Sequence, residues 1–239
     1  MKKIIVILAL AAAFGPLAPL QAKIHVSGQA DIVSRYIWRG FDIYPENKPA
    51  FQPSLTFDFG NSGLSVEAWF SFAASNRAEF KTADELNLIV SYALPTGENV
   101  DLSAGLIHYV YYRTPGFTYR NDTSREVFVE AGLPNVFARP SLAVFYDFDL
   151  GDGLYAQLSG SLDAPLSENV VPEFSLALGY NGKQYQKEKA GFSDLSCTLS
   201  LPLQSGGVSI TPFCNLTFIF LRAVNPSKSE FFFGLSVSF

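Results

Sequence analysis

Few side chains in this 239-residue sequence are of a type that does chemistry by itself, and their spacing decides what they can do. There are two histidines and two cysteines. His108 falls in GLIHYVYYR on the apolar side of an alternating run, beside Tyr109, Tyr111 and Tyr112. A strand-borne lipase would need its serine nucleophile two residues from its histidine, on the same face. Those positions are Leu106 and Val110, and His25 has no partner nearby in the chain. With no nucleophile–base pair, no glycine-rich phosphate loop and no calcium loop, we read the chain as a non-enzyme without a cofactor. Two sulfurs with no neighbouring histidine also make a poor metal site.

Cys197 and Cys214 flank the turn in LPLQSGGVSI. A two-residue turn at Ser205-Gly206 pairs Leu203 with Val208 and sets Cys197 directly opposite Cys214. At a non-hydrogen-bonded position their Cα atoms would lie ~4.5 Å apart, within disulfide range. Pro202 then occupies a ladder donor position, which argues against that register. The two readings are a disulfide and a pair of small outward-facing thiols.

The larger signal is acidic. Asp31, Asp58, Glu67, Glu85, Asp101, Glu126, Glu130, Asp147, Asp149 and Asp194 fall on the polar parity of successive alternating segments, with Arg35, Arg39 and Arg113 as the cations. Taken singly, each carboxylate reads as solvated or ion-paired. Together on one face they describe one of two interiors. One is a wet, cation-favouring lumen, whose low-dielectric walls concentrate the field. The other is an interior cross-linked and filled by its own side chains.

Such residues need elements with one polar and one apolar face. Residues 1–22, MKKIIVILALAAAFGPLAPLQA, combine Lys2 and Lys3, an apolar run and Ala22 at a cleavage point, the pattern of a removed signal peptide. The mature chain, residues 23–239, is then expected to be a single domain. Without Lys2 and Lys3 the 22 acidic residues outnumber the basic ones by seven, which speaks against nucleic acid as a partner. The chain is 48% hydrophobic and 15% aromatic but only 16% charged, below the roughly 25% of a soluble domain. Apolar residues dispersed by alternation, with no helical span, fit a transmembrane β-barrel.

The alternation repeats along the chain. Val26, Ala30, Ile32, Tyr36 and Trp38 oppose Ser27, Gln29, Asp31, Arg35 and Arg39 over residues 26–39. Phe51, Leu55, Phe57 and Phe59 oppose Gln52, Ser54, Thr56 and Asp58, and a turn in NSG sets Phe57 opposite Val66 in the next strand. Further strands are expected over residues 86–92, 100–110, 127–133, 142–148, 154–162, 174–180, 195–201, 208–218 and 231–239, about twelve in all. Long connections such as GFDIYPENKPA and KQYQKEKAG alternate with short ones such as NSG and QSGG, the asymmetry of outer-membrane barrels. In FFFGLSVSF, Phe231, Phe233, Leu235, Val237 and Phe239 share one face. Pairing this strand with the first one closes the wall and leaves no free edge.

The stretch DIVSRYIWRGFDIYPENKPAFQPSLTFDFGNSGLSVEAWFS resembles the opening of the TorF-like porins. In that pattern a first strand ends in an Arg-Gly pair and leads through an Asn-Lys-Pro-Ala loop into a second strand. ELNLIVSYAL is similar to the family's next strand, and the likeness is clearest over residues 30–95. It implies a bacterial outer-membrane barrel and leaves the solute open. Barrels of this class commonly end in an aromatic strand read by the assembly machinery, a role that Phe233, Leu235, Val237 and Phe239 would take here by resemblance.

The expectation is therefore an all-β, antiparallel up-and-down transmembrane barrel in the bacterial outer membrane, a passive channel for small hydrophilic solutes with a cation preference. Its partners are outer-membrane lipid, the assembly machinery and the solute. On the parity argument, Arg39 sits inside the extracellular mouth and Gly40 lets the chain leave the wall. The alternative is a closed barrel with a structural, adhesive or receptor role carried by its external loops.

Overall fold

The computed structural model describes residues 23–44, 48–75, 84–112, 122–167 and 170–239. The order of elements is β1 (His25–Val33), β2 (Ile37–Trp38), β3 (Phe41–Asp42), β4 (Ala50–Asp58), β5 (Leu64–Ala73), β6 (Asp84–Leu94), β7 (Asp101–Tyr112) and β8 (Asp122–Gly132). It continues with β9 (Ser141–Asp147), β10 (Gly153–Asp163), β11 (Glu173–Gly182), β12 (Gly191–Ser200), β13 (Leu203–Ser205), β14 (Val208–Ile219) and β15 (Ser229–Ser238). Every long strand is antiparallel to its neighbours, β12 pairs with β14, and β1 pairs with β15 through Ile32↔Leu235. The result is a closed barrel of twelve long strands, with β13 a stub beside β14 and β2–β3 a separate hairpin.

The two-residue period decides the faces. Ile32, Phe57, Leu88, Val129 and Leu158 project outward and are exposed, forming the apolar band that lipid requires. Their neighbours Asp31, Thr56, Asn87, Glu130 and Gln157 face the lumen. The connections divide as the sequence implies: residues 34–49, 148–152, 183–190 and 220–228 join strands at one end, and 59–63, 95–100, 133–140 and 164–172 at the other. By the long connection after β1 we take the first end as extracellular and the second as periplasmic, with the short 148–152 and the long 164–172 as the two exceptions to the length rule. Phe57 does pair with Val66, across a 3-10 turn over Gly60–Ser62 closed by Gly63 at φ 73°.

Two expectations need correction. The first strand ends at Val33 instead of running to Trp38, and Tyr36 and Trp38 lie inside the barrel, not on the lipid face. Alternation continues through residues 34–38, so parity cannot register that the chain has left the wall. Gly40 does not serve that exit either; it sits at φ 83° in the turn of the β2–β3 hairpin.

The second concerns the cysteines, which are both free. The hairpin turns at Gly206-Gly207, with Ser205 opposite Val208, so the register is two residues from the expected one. Cys197 opposes Leu216 and Leu199 opposes Cys214. The thiols become diagonal neighbours on the outer face, where Cα atoms are ~7–8 Å apart, beyond disulfide reach. Pro202 falls in the break between β12 and β13, directly after Leu201, which still donates to the Pro212 carbonyl at 3.0 Å. A proline cannot donate to the ladder, so the break belongs there.

Candidate functional site

The lumen has two unlike halves. Along β7 the inward positions run from exposed Asp101 at the periplasmic end to buried Ile107 and Tyr109. Glu130 is exposed in β8 while Glu126 and Ser124 are fully buried, and in β10 Asp163 is exposed while Tyr155 is buried. The outer half is filled by the chain itself.

The filling starts where β1 ends. Residues 34–44 fold inward, and a two-residue turn at Arg39-Gly40 pairs Ile37 with Asp42 and Trp38 with Phe41. Both turn residues have positive φ, 51° and 83°, as a type I′ turn demands. A Cβ on Gly40 would meet Val224 at 3.1 Å and Asp194 at 3.3 Å, so glycine is needed for space as well as conformation. Tyr36 packs at ring distances of 5.6 Å from Tyr44 and 5.8 Å from Trp69, near the root of the hairpin. Arg35 ion-pairs with Glu230 on β15, the immediate neighbour of β1. The tip crosses to β8, β9 and β10, the far side of the ring.

There the Arg39 guanidinium meets Glu126 as a fork, with Nη1 donating to Oε2 at 2.7 Å and Nη2 to Oε1 at 2.8 Å. Nη1 also donates to Gln184 Oε1 at 2.6 Å. Glu126 accepts in addition from Tyr109 Oη at 2.9 Å and Gln184 Nε2 at 2.6 Å. Aromatic faces enclose the charge: Phe145 at 4.1 Å, Trp38 at 4.5 Å and Tyr155 at 4.7 Å from the guanidinium carbon. Arginine cannot shed its proton in a protein, so a full positive charge is held in the lumen by one carboxylate and a ring of π faces.

Smaller polar clusters surround this centre. Asp147 accepts from Ser124 at 2.7 and 2.8 Å and from Tyr185 at 2.8 Å. Asp194 accepts from Ser193 at 2.6 Å. Asn225 ties the hairpin tip to the wall, donating to the Gly40 carbonyl and to Glu230, both at 3.2 Å. Loops 183–190 and 220–228 thus lock a hairpin that the β1 end supplies.

The periplasmic half is a vestibule. A cavity of about 410 Å³ opens there between Asp101, Ser103, Glu130, Ser141 and Arg139. Arg139, in the turn after β8, pairs with Asp163 at 2.6 Å and Glu173 at 3.1 Å on the rim. The hydrogen bond to Asp163 raises the Arg139 pKa above its already high value. Among the described residues, no group of three or more His, Cys, Asp or Glu is arranged to hold a metal ion.

Of the expected lumen residues, Arg35, Arg39, Glu85, Glu126 and Asp147 gather in the outer half, Asp101 and Glu130 line the periplasmic cavity, and Asp31 and Glu67 lie on the inward parity of β1 and β5. Asp149 does not line it. It lies in the loop after β9 and pairs at 2.7 Å with Arg125, which is on the outward parity of β8. Parity counted past the strand end assigned it wrongly. Arg113 and residues 1–22 lie outside the described residues. Phe233, Leu235, Val237 and Phe239 all project outward.

The sequence reading missed Trp38, Tyr109, Phe145, Tyr155 and Gln184 as members of one cluster. A signal was available: Tyr109, Phe145 and Tyr155 are aromatic residues on polar parity. An aromatic ring in a lumen otherwise lined by serine and carboxylate marks a place where something packs against it.

The fold and the lipid-facing band define a bacterial outer-membrane β-barrel. Residues 18–212 match a family described as bacterial protein of unknown function (Gcw_chp), and the chain belongs to it. The fold is similar to that of the NanC porin, with 13% identity over 90% of this chain and 99% of that one and a TM-score of 0.52. It is equally similar to LpxR from Salmonella typhimurium, with 7% identity over 89% and 99% and a TM-score of 0.52. At such identities the likeness is one of fold. No curated protein matches the chain.

Proposed function

We propose that this barrel is an outer-membrane channel for small hydrophilic solutes, cation-preferring, captured with its outer half closed by the β2–β3 hairpin. The observation that carries the reading is the nature of the closure. The filling layer packs Tyr36, Tyr44, Trp38 and Trp69 around a polar and ionic centre at Arg39, Glu126 and Gln184, so the lumen is built to accommodate a positive charge. Loosening that layer means breaking the buried Arg39–Glu126 pair, which costs about 3–5 kcal/mol unless another cation replaces the guanidinium.

The vestibule supports the same reading, since Asp101 and Glu130 line it beside Arg139, whose charge Asp163 and Glu173 already take up, and would enrich cations. So do the porin among the similar folds and the resemblance of residues 30–95 to TorF-like porins. A second reading, a closed barrel working through its external loops, is favoured by the full burial of Tyr44, Glu126 and Gln184 across the outer half.

Single-channel recording of the refolded mature protein in a planar bilayer, with a salt gradient, separates the two. Discrete steps with a cation-directed reversal potential are expected. A folded but silent barrel, silent also after Arg39→Ala loosens the hairpin, would overturn the channel.

A further inference from the structure

We propose that the pocket around the Arg39 head group is a cation-binding subsite of the lumen, suited to a guanidinium or small organic ammonium group, and that Arg39 is its tethered occupant. The inference rests on the channel reading above and names the solute class for it.

Most of the pocket belongs to the wall and not to the hairpin. Phe145 on β9 and Tyr155 on β10 present their faces at 4.1 and 4.7 Å, inside the ~6 Å range of cation–π attraction. Glu126 on β8 offers both carboxylate oxygens to two guanidinium nitrogens, and Gln184 offers an amide oxygen at 2.6 Å. Tyr109 and Gln184 donate to that same carboxylate and hold it in place. Only Trp38 and the arginine itself come from the hairpin. Removing the head group would leave a fully buried carboxylate facing three aromatic rings with no cation. That arrangement binds positive charge.

A free guanidinium-bearing solute can reproduce every contact the Arg39 head makes. It competes against a ligand held on a short tether, whose effective concentration is on the order of millimolar, so displacement needs solute at comparable levels. Displacement removes the hairpin's ion pair with the far wall, leaving Trp38 against Tyr109 and Tyr185 and Asn225 on the Gly40 carbonyl to hold it more loosely. A neutral isostere is rejected. It would leave Glu126 buried without a counter-charge, the costly case for an ionised group.

The test uses the refolded, full mature barrel carrying Arg39→Ala, with methylguanidinium as probe and methylurea as its neutral control. Methylguanidinium at a tenfold excess over its Kd should raise the unfolding midpoint by about 3–6 °C. Methylurea should leave the midpoint unchanged, and adding Glu126→Gln should abolish the shift. In the bilayer, the enlarged conductance steps of Arg39→Ala should be blocked by methylguanidinium alone. No midpoint shift, or an equal one with methylurea, overturns the subsite. A midpoint shift in a barrel that never conducts keeps the subsite and overturns the channel. Conduction without any shift does the reverse. Arg39→Asn, a short side chain suited to the positive φ of this turn position, leaves the pocket empty and carries the same assay where Arg39→Ala does not refold.

Discussion

The ring of Phe239 lies on the lipid side of Gly28, two strands of the closing seam locked by hydrogen bonds in both directions: Gly28 N to the Phe239 carbonyl at 3.2 Å and Phe239 N to the Gly28 carbonyl at 3.0 Å. A Cβ on Gly28 would stand 2.6 Å from two ring atoms. An aromatic side chain on a glycine in the neighbouring strand covers backbone that would otherwise face lipid. Gly28→Val should displace the ring and destabilise the barrel by about 1–2 kcal/mol, read from denaturant unfolding in lipid vesicles. Gly28→Ala should cost less, because the ring can swing aside.

We propose further that Phe239 and the outward row Phe233, Leu235 and Val237 are read during assembly. If so, Phe239→Ala should lower the yield of folded barrel in cells far more than it lowers refolding into vesicles in vitro. Comparable losses in both settings would assign the residue to seam packing alone.

Arg39 and Glu126 should behave as a unit. Each is buried, with 8% and 0% of its side chain exposed. Breaking such a pair from one side leaves an uncompensated charge and costs about 3–5 kcal/mol. Glu126→Gln and Arg39→Met should each approach that loss, and the double variant should lose less than their sum. Strictly additive losses in a double-mutant cycle would show that the two charges do not depend on each other.

The cysteine register is directly testable. Wild-type protein should not form an intramolecular disulfide under mild oxidation, and both thiols should remain open to a small alkylating reagent. Leu199→Cys in a Cys197→Ser background puts a thiol directly opposite Cys214, where either antiparallel pair type falls within disulfide range. That variant should cross-link. Cross-linking of the wild-type pair instead would restore the register with its turn at Ser205-Gly206.

Charge in the vestibule should set ion preference. Asp101→Asn with Glu130→Gln removes two exposed carboxylates from the cavity beside Arg139. The reversal potential should move toward anions, and more so at low salt, where the Debye length exceeds 10 Å. The fold should be unaffected, because neither side chain is buried.

Much of this molecule is written in the two-residue period. The strand count, the lipid-facing row from Ile32 to Leu158, the pairing of Phe57 with Val66 and closure by the last strand on the first all follow from alternation and turn residues, because a strand's period settles which side chains share a face. The register at Cys197 was less legible. Ser205-Gly206 and Gly206-Gly207 are both acceptable turns, and the position of Pro202 tips the choice.

What alternation could not reveal is where the chain stops being wall. Residues 34–38 keep the pattern of a strand while turning into the lumen, and Asp149 keeps it while leaving the barrel altogether. The meeting of Arg39 with Glu126, Phe145, Tyr155 and Gln184 joins positions as far as 145 residues apart. No local period encodes that meeting. It exists because closing the ring brings the far wall within one hairpin's reach of β1, so the filling of the lumen was decided by the tertiary structure, while the wall around it was already present in the sequence.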